Sequence, residues 1–149
     1  MRRFGEAVQG GIRYGLRPGV YAVLPRGGQV LATFQESPRP EFQLPGGGID
    51  AGEPPVRALH REVFEETGWA IAPVRRLGAF RRFTYMPEYD LWAEKVCAVY
   101  LARPVLRRGP PPEAGHHAVW LSWDEAEALL AVDGDRHFLR LARALAQQP

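Results

Sequence analysis

The sequence predicts an α+β fold, an α/β/α sandwich built on a mixed β-sheet. Three observations carry that expectation. Strand-like segments lie on both sides of one central helical stretch, two helical stretches close the chain, and no repeat, low-complexity tract or linker interrupts it. At 149 residues the chain fits a single domain, 1–149, large enough to bury a real core.

Residues 1–16 are glycine-rich and weakly patterned, an irregular arm or short edge strand. Residues 20–24 (VYAVL) and 29–34 (QVLATF) read as strands joined by hairpin chemistry at Pro25-Arg26-Gly27-Gly28. Residues 41–44 (EFQL) form a short strand that runs into Pro45-Gly46-Gly47-Gly48. A helix is expected from Gly52 or Glu53, with Pro54 and Pro55 in its first turn and Gly68 as its stop. Strands over 74–85 and 91–102 flank a turn at 86–90, and the Arg107–Pro112 run is a stiff loop. A strand over 118–121 leads to a helix capped by Ser122 or Asp124. The last helix is expected over 136–146, with Phe138, Leu141 and Leu145 on one face.

Composition excludes several classes of function. Nineteen basic and seventeen acidic residues give a formal charge of +2, too little to argue for a nucleic-acid polymer as partner. Cys97 is the only cysteine, so neither an intrachain disulfide nor a thiolate metal cluster forms. No window reaches the apolar length of a membrane span, and no apolar run follows the two N-terminal arginines. The expected location is cytoplasmic. Eighteen of the nineteen cations are arginine, and Lys95 is the one lysine.

The chemistry concentrates between Gly46 and Trp69. Glu62, Glu65 and Glu66 sit at i, i+3 and i+4 and so share one side of the central helix. A helical projection groups Val56, Leu59, Val63 and Thr67 as the packing face, with Ala58 among the glutamates and Glu66 the most enclosed of the three. Arg61 lies one turn before Glu65 and is placed to hold it. Carboxylates at a helix C-terminal end oppose the macrodipole and repel one another, which costs stability. Hard cations such as Mg²⁺ take oxygen ligands of this kind, and the glycine turn offers backbone that a ligand approaches closely.

Gly47, Glu53, Arg61, Glu62, Val63, Glu65, Glu66, Gly68 and Trp69 together resemble the Nudix box, with every fixed position present. The resemblance implies Mg²⁺- or Mn²⁺-dependent hydrolysis of a nucleoside diphosphate linked to another group, by water attack on phosphorus. It implies Glu65 and Glu66 as metal ligands, with the Gly46 carbonyl as a third. Glu62 is a further ligand or the water-activating carboxylate, and Arg61 holds Glu53 and Glu65. Dinucleoside polyphosphates and (deoxy)nucleoside triphosphates lead the substrates; ADP-ribose or nucleotide sugars, or a binding module without turnover, are the alternatives. The expected partner is a nucleotide, without membrane and with a homodimer left open.

Outside the box, Glu113 is the first candidate for a later-loop ligand or general base, ahead of Glu88 and Glu94. Arg81, Phe83 and Tyr85 alternate to one side of a strand, opposite Arg82, and offer cation and ring for a substrate. His116 and His117 beside Glu113 are read either as substrate contacts or as surface or strand-start histidines, and His117 is carried forward as a substrate-contact candidate.

Overall fold

The computed structural model describes residues 1–148 and arranges nine strands and three helices among them. The strands are β1 (Arg2–Phe4), β2 (Gly15–Val23), β3 (Pro25–Arg26), β4 (Gln29–Gln35), β5 (Glu41–Gln43), β6 (Gly46–Gly48), β7 (Trp69–Met86), β8 (Leu91–Arg107) and β9 (His116–Ser122). The helices are α1 (Pro55–Thr67), α2 (Trp123–Leu129) and α3 (Asp133–Ala146). One sheet runs β1-β7-β8-β2-β6; in the other β4 pairs with β3, β5 and β9. The first sheet is mixed, because β2 runs parallel to β8 and β1 parallel to β7.

Period-two alternation along β2 explains why helices lie on both sides. Val20 and Ala22 turn to the core under α1, with Leu31, Leu59, Val63 and Trp120. Val23 turns the other way, into a core with Phe80, Val99, Leu139 and Ala142 beneath α2 and α3. The antiparallel β7–β8 ribbon is the longest element and exceeds the expected strands at both ends. Register shifts at Ala70/Ile71, Pro73/Arg75 and Arg76/Gly78 let it bend and accommodate Pro73.

Several expected boundaries move. α1 starts at Pro55 with Pro54 as its N-cap, two or three residues later than expected, since Gly52 takes φ 76° in the preceding turn. Its first turn therefore stands clear of the sheet, and Val56 is exposed instead of packed. Ala58 takes its place in the core, fully buried with Leu59 and Val63. Gly68 ends the helix in the left-handed region at φ 78°, its N–H bonded to the Phe64 carbonyl. Ser122 caps α2 in a reciprocal box with Glu125. α3 begins at Asp133, and its buried face is Phe138, Leu139 and Ala142 while Leu141 is exposed. No helix among the described residues is long and apolar enough to cross a membrane.

Candidate active site

Two glycines set the geometry at the edge of the five-stranded sheet. β6 pairs with β2 through Pro45 and Ile49, so antiparallel alternation turns the backbone groups of Gly46 and Gly48 away from β2, toward α1. The Gly46 N–H donates to Glu66 Oε1 at 3.0 Å, and the Gly48 carbonyl accepts from Arg61 Nη2 at 3.0 Å. A Cβ on Gly46 would strike the Val20 carbonyl, and one on Gly47 would lie inside the Glu62 carboxylate. Glycine at 46 lets β6 lie this close to β2, and glycine at 47 leaves room for the Glu62 carboxylate where it stands.

Arg61 is the hub of the acidic cluster. Its guanidinium grips Glu53 through Nε and Nη2, both at 2.8 Å, and also bonds Glu62 at 2.9 Å and Glu65 at 3.3 Å. That planar fork suits several carboxylates at once. The bond to Arg61 lowers the Glu53 carboxyl to about 2. Burial raises Glu62 above its ordinary value, against the pull of Arg61. Glu66, 7% exposed, is pushed well up by burial, and the charges of Glu62 and Glu113 add to that against the Gly46 N–H.

The loop before β9 reaches this cluster by completing the end of α1. The last turn of a helix leaves carbonyls without partners. The Glu113 N–H donates to the Glu65 carbonyl at 3.0 Å, the Arg108 N–H to that of Gly68 at 2.8 Å, and the Thr33 hydroxyl to that of Glu66 at 3.4 Å. The Glu113 carboxylate then stands over the helix end, and oxygens of Glu62, Glu65 and Glu113 all lie within 4.8 Å of one another. Ligand atoms of Glu66, Glu113 and His116 form a second such group. The oxygen-rich donor set, with one guanidinium bonded to the helix carboxylates and a buried carboxylate whose charge is unfavourable alone, fits a hard divalent cation.

Of the two histidines, His116 turns toward the glutamates and not to the surface. It pairs with Gln35 across β4–β9, and its Nδ1 lies 3.0 Å from the Thr33 hydroxyl and 3.6 Å from Glu66. The signal was alternation along HHAVWLS: Ala118 and Trp120 pack under α1, so His116 shares their face and His117 does not. His117 turns outward and bonds Glu36 at 2.7 Å.

A cleft of about 630 Å³ opens from these glutamates, a volume typical of small-molecule sites. Gln35, Gln43, Tyr21, Lys95, Arg17 and Tyr89 line it beyond Glu62, Glu66, Glu113 and His116. Arg81, Phe83, Tyr85 and His117, expected as substrate contacts, are not among the residues that line this cleft. Arg81 lies 3.8 Å from Glu94, Phe83 packs buried against Tyr14, and Tyr85 bonds Asp90. From β7 the cleft takes only Met86, and Arg82 lines a separate small pocket with Lys95 and Asp135. Glu88 lines the cleft and Glu94 does not.

Comparison with known proteins places this geometry. A family model for the NUDIX domain matches residues 14–142. An RNA pyrophosphohydrolase of Halorhodospira halophila is 36% identical over 69 residues, 46% of this chain and 38% of that protein. A putative 8-oxo-dGTP diphosphatase of Bacillus subtilis is 30% identical over 74 residues, 50% of each. The chain thus spans half or less of the length of these curated relatives. Among solved structures, a NUDIX hydrolase from Nitrosomonas europaea superposes with a TM-score of 0.74 at 21% identity, covering 91% of this chain and 93% of its own. A MutT NUDIX hydrolase from Burkholderia pseudomallei gives 0.69 at 26% identity, covering 85% and 97%.

Proposed function

The chain belongs to the NUDIX domain family, and on that premise we propose that it hydrolyses a phosphoanhydride of a nucleoside diphosphate derivative by attack of water on phosphorus. The observation that carries this reading is the convergence of Glu62, Glu65 and Glu113 oxygens within 4.8 Å at the end of the cleft. (Deoxy)nucleoside triphosphates and dinucleoside polyphosphates are the first substrates to expect, since both similar curated proteins carry names for cleaving phosphoanhydrides.

Glu62, Glu65, Glu66 and the Gly46 carbonyl would hold Mg²⁺ or Mn²⁺, which when bound neutralises phosphate charge and makes water a better nucleophile. The Gly46 N–H fixes the Glu66 carboxylate from the side away from solvent. Arg61 orients Glu62 and Glu65 and is itself tied to Glu53, so these side chains are set before substrate arrives. Glu113 is the general base: it stands at both acidic groups, is half exposed, and is not bonded to Arg61. His116 faces both Glu66 and Glu113 and positions them.

Reaction in ¹⁸O-labelled water with a panel of nucleoside triphosphates and dinucleoside polyphosphates tests the reading. The expected result is Mg²⁺-dependent release of a nucleotide product with label on a phosphorus. Nucleotide binding without turnover across the panel would make the chain a binding module instead.

A further inference from the structure

The cleft carries two cationic side chains, Arg17 and Lys95, that the hydrolytic chemistry above does not use. Lys95 on β8 stands in register with Arg82 on β7 and Arg17 on β2, so the three project from one face of three adjacent strands. Like charges directly opposite each other destabilise a sheet. No carboxylate among the described residues forms a contact ion pair with any of the three, and the buried Asp135 beside Lys95 and Arg82 is the acidic group nearest to a counter-ion for them. Asp135, Glu88 and Glu66 are the acidic groups whose charge reaches Lys95, and Asp135 and Glu66 are already held by the Leu44 N–H at 3.1 Å and the Gly46 N–H at 3.0 Å.

Lys95 is also the one lysine in a chain of eighteen arginines. Its ammonium sits at the cleft floor, 5.9 Å from the Tyr21 ring centroid, where burial and then Arg82 disfavour its charge. Arg17 borders the same cleft, its guanidinium 4.7 Å from the Tyr89 ring centroid at the rim. A cation partly stripped of water and without a contact ion pair carries a free-energy cost that the anion of a ligand offsets.

We propose that Arg17 and Lys95, backed by Arg82, form a second anion subsite that takes a phosphate group of the ligand other than the metal-held anhydride. The inference rests on the nucleotide reading of this cleft and narrows it to ligands with two separate phosphate centres. That phosphate is either a monoester on the ribose or the diester to a following nucleotide; both present the same anionic oxygens to the two cations.

Calorimetry in Mg²⁺ with three probes tests it without needing turnover: adenosine 5′-monophosphate, adenosine 3′,5′-bisphosphate, and a 5′-phosphorylated adenosine dinucleotide. The bisphosphate or the dinucleotide should bind about tenfold more tightly than the monophosphate, and the one that gains identifies the source of the phosphate. In Lys95→Met the gain should shrink to within about twofold, and it should weaken as salt rises. Arg17→Gln, at an exposed position, should reduce the same gain and guards against a Lys95 variant that fails to fold. Equal affinity for all three probes, or a gain that survives both substitutions, overturns the subsite. Absence of hydrolysis with the gain intact would overturn the hydrolytic reading and leave the subsite standing.

Discussion

At the residue scale the glutamates are not interchangeable, because each has a different set of neighbours. Glu66 is buried and bonded to the Gly46 N–H, so glutamine preserves its shape and that bond while removing the charge a cation needs. Glu113 enters from a loop, and Glu113→Gln should lower kcat by on the order of 100-fold. The same variant should leave half-saturating Mg²⁺ little changed. A parallel loss of metal affinity would make Glu113 a ligand before it is a base. Arg61 acts through others, since its fork fixes Glu53, Glu62 and Glu65. Arg61→Lys keeps the charge but cannot make the paired contact, and should weaken apparent Mg²⁺ affinity by roughly 10- to 100-fold. Saturating metal should restore part of kcat; a kcat deficit independent of metal would contradict a positioning role.

Elements, not single residues, decide which side chains meet. The i, i+3, i+4 spacing was enough to read the shared side of Glu62, Glu65 and Glu66, because one helix sets it. Val56 escaped that reasoning, since helical projection cannot tell where the helix first touches the sheet. The inward turn of His116 needed the β4–β9 register, and the lining of the cleft by Gln35, Gln43 and Lys95 needed the order of strands, which pairs segments far apart in sequence. Helix α3 illustrates a further tie of this kind: its Asp135 accepts the Leu44 N–H just before the glycine turn. Burial pushes the Asp135 carboxyl up to about 6 from an ordinary 3.8, so folding favours its neutral form. The stability it supports is present below about pH 4 and is lost as pH rises through about 6. Asp135→Asn removes that titration, and the variant should gain on the order of 3 kcal/mol relative to wild type between those limits. A difference in unfolding free energy that does not vary with pH would show that folding leaves the Asp135 carboxyl at its ordinary value.

For the whole molecule, the two cores and the helices on either side hold a strand edge, a helix end and a loop against one another, and the acidic cluster exists only where all three meet. Cluster repulsion is a cost that a bound cation relieves, so metal and fold are linked. At a hundred times its dissociation constant, Mg²⁺ should stabilise the chain by about 2.7 kcal/mol, and chelation should reverse this. The same linkage explains why the α/β/α arrangement was readable from element order while the depth of the site was not: layers follow from local patterns, the cleft from their junction. The most direct measurement is Mg²⁺-dependent nucleotide hydrolysis by wild type and by Glu66→Gln, with the variant's folding checked by thermal melting. The account predicts turnover by wild type and a loss of on the order of 100-fold or more in a folded variant, several kcal/mol of charge stabilisation at about 1.4 kcal/mol per decade. Undiminished hydrolysis by Glu66→Gln would contradict it.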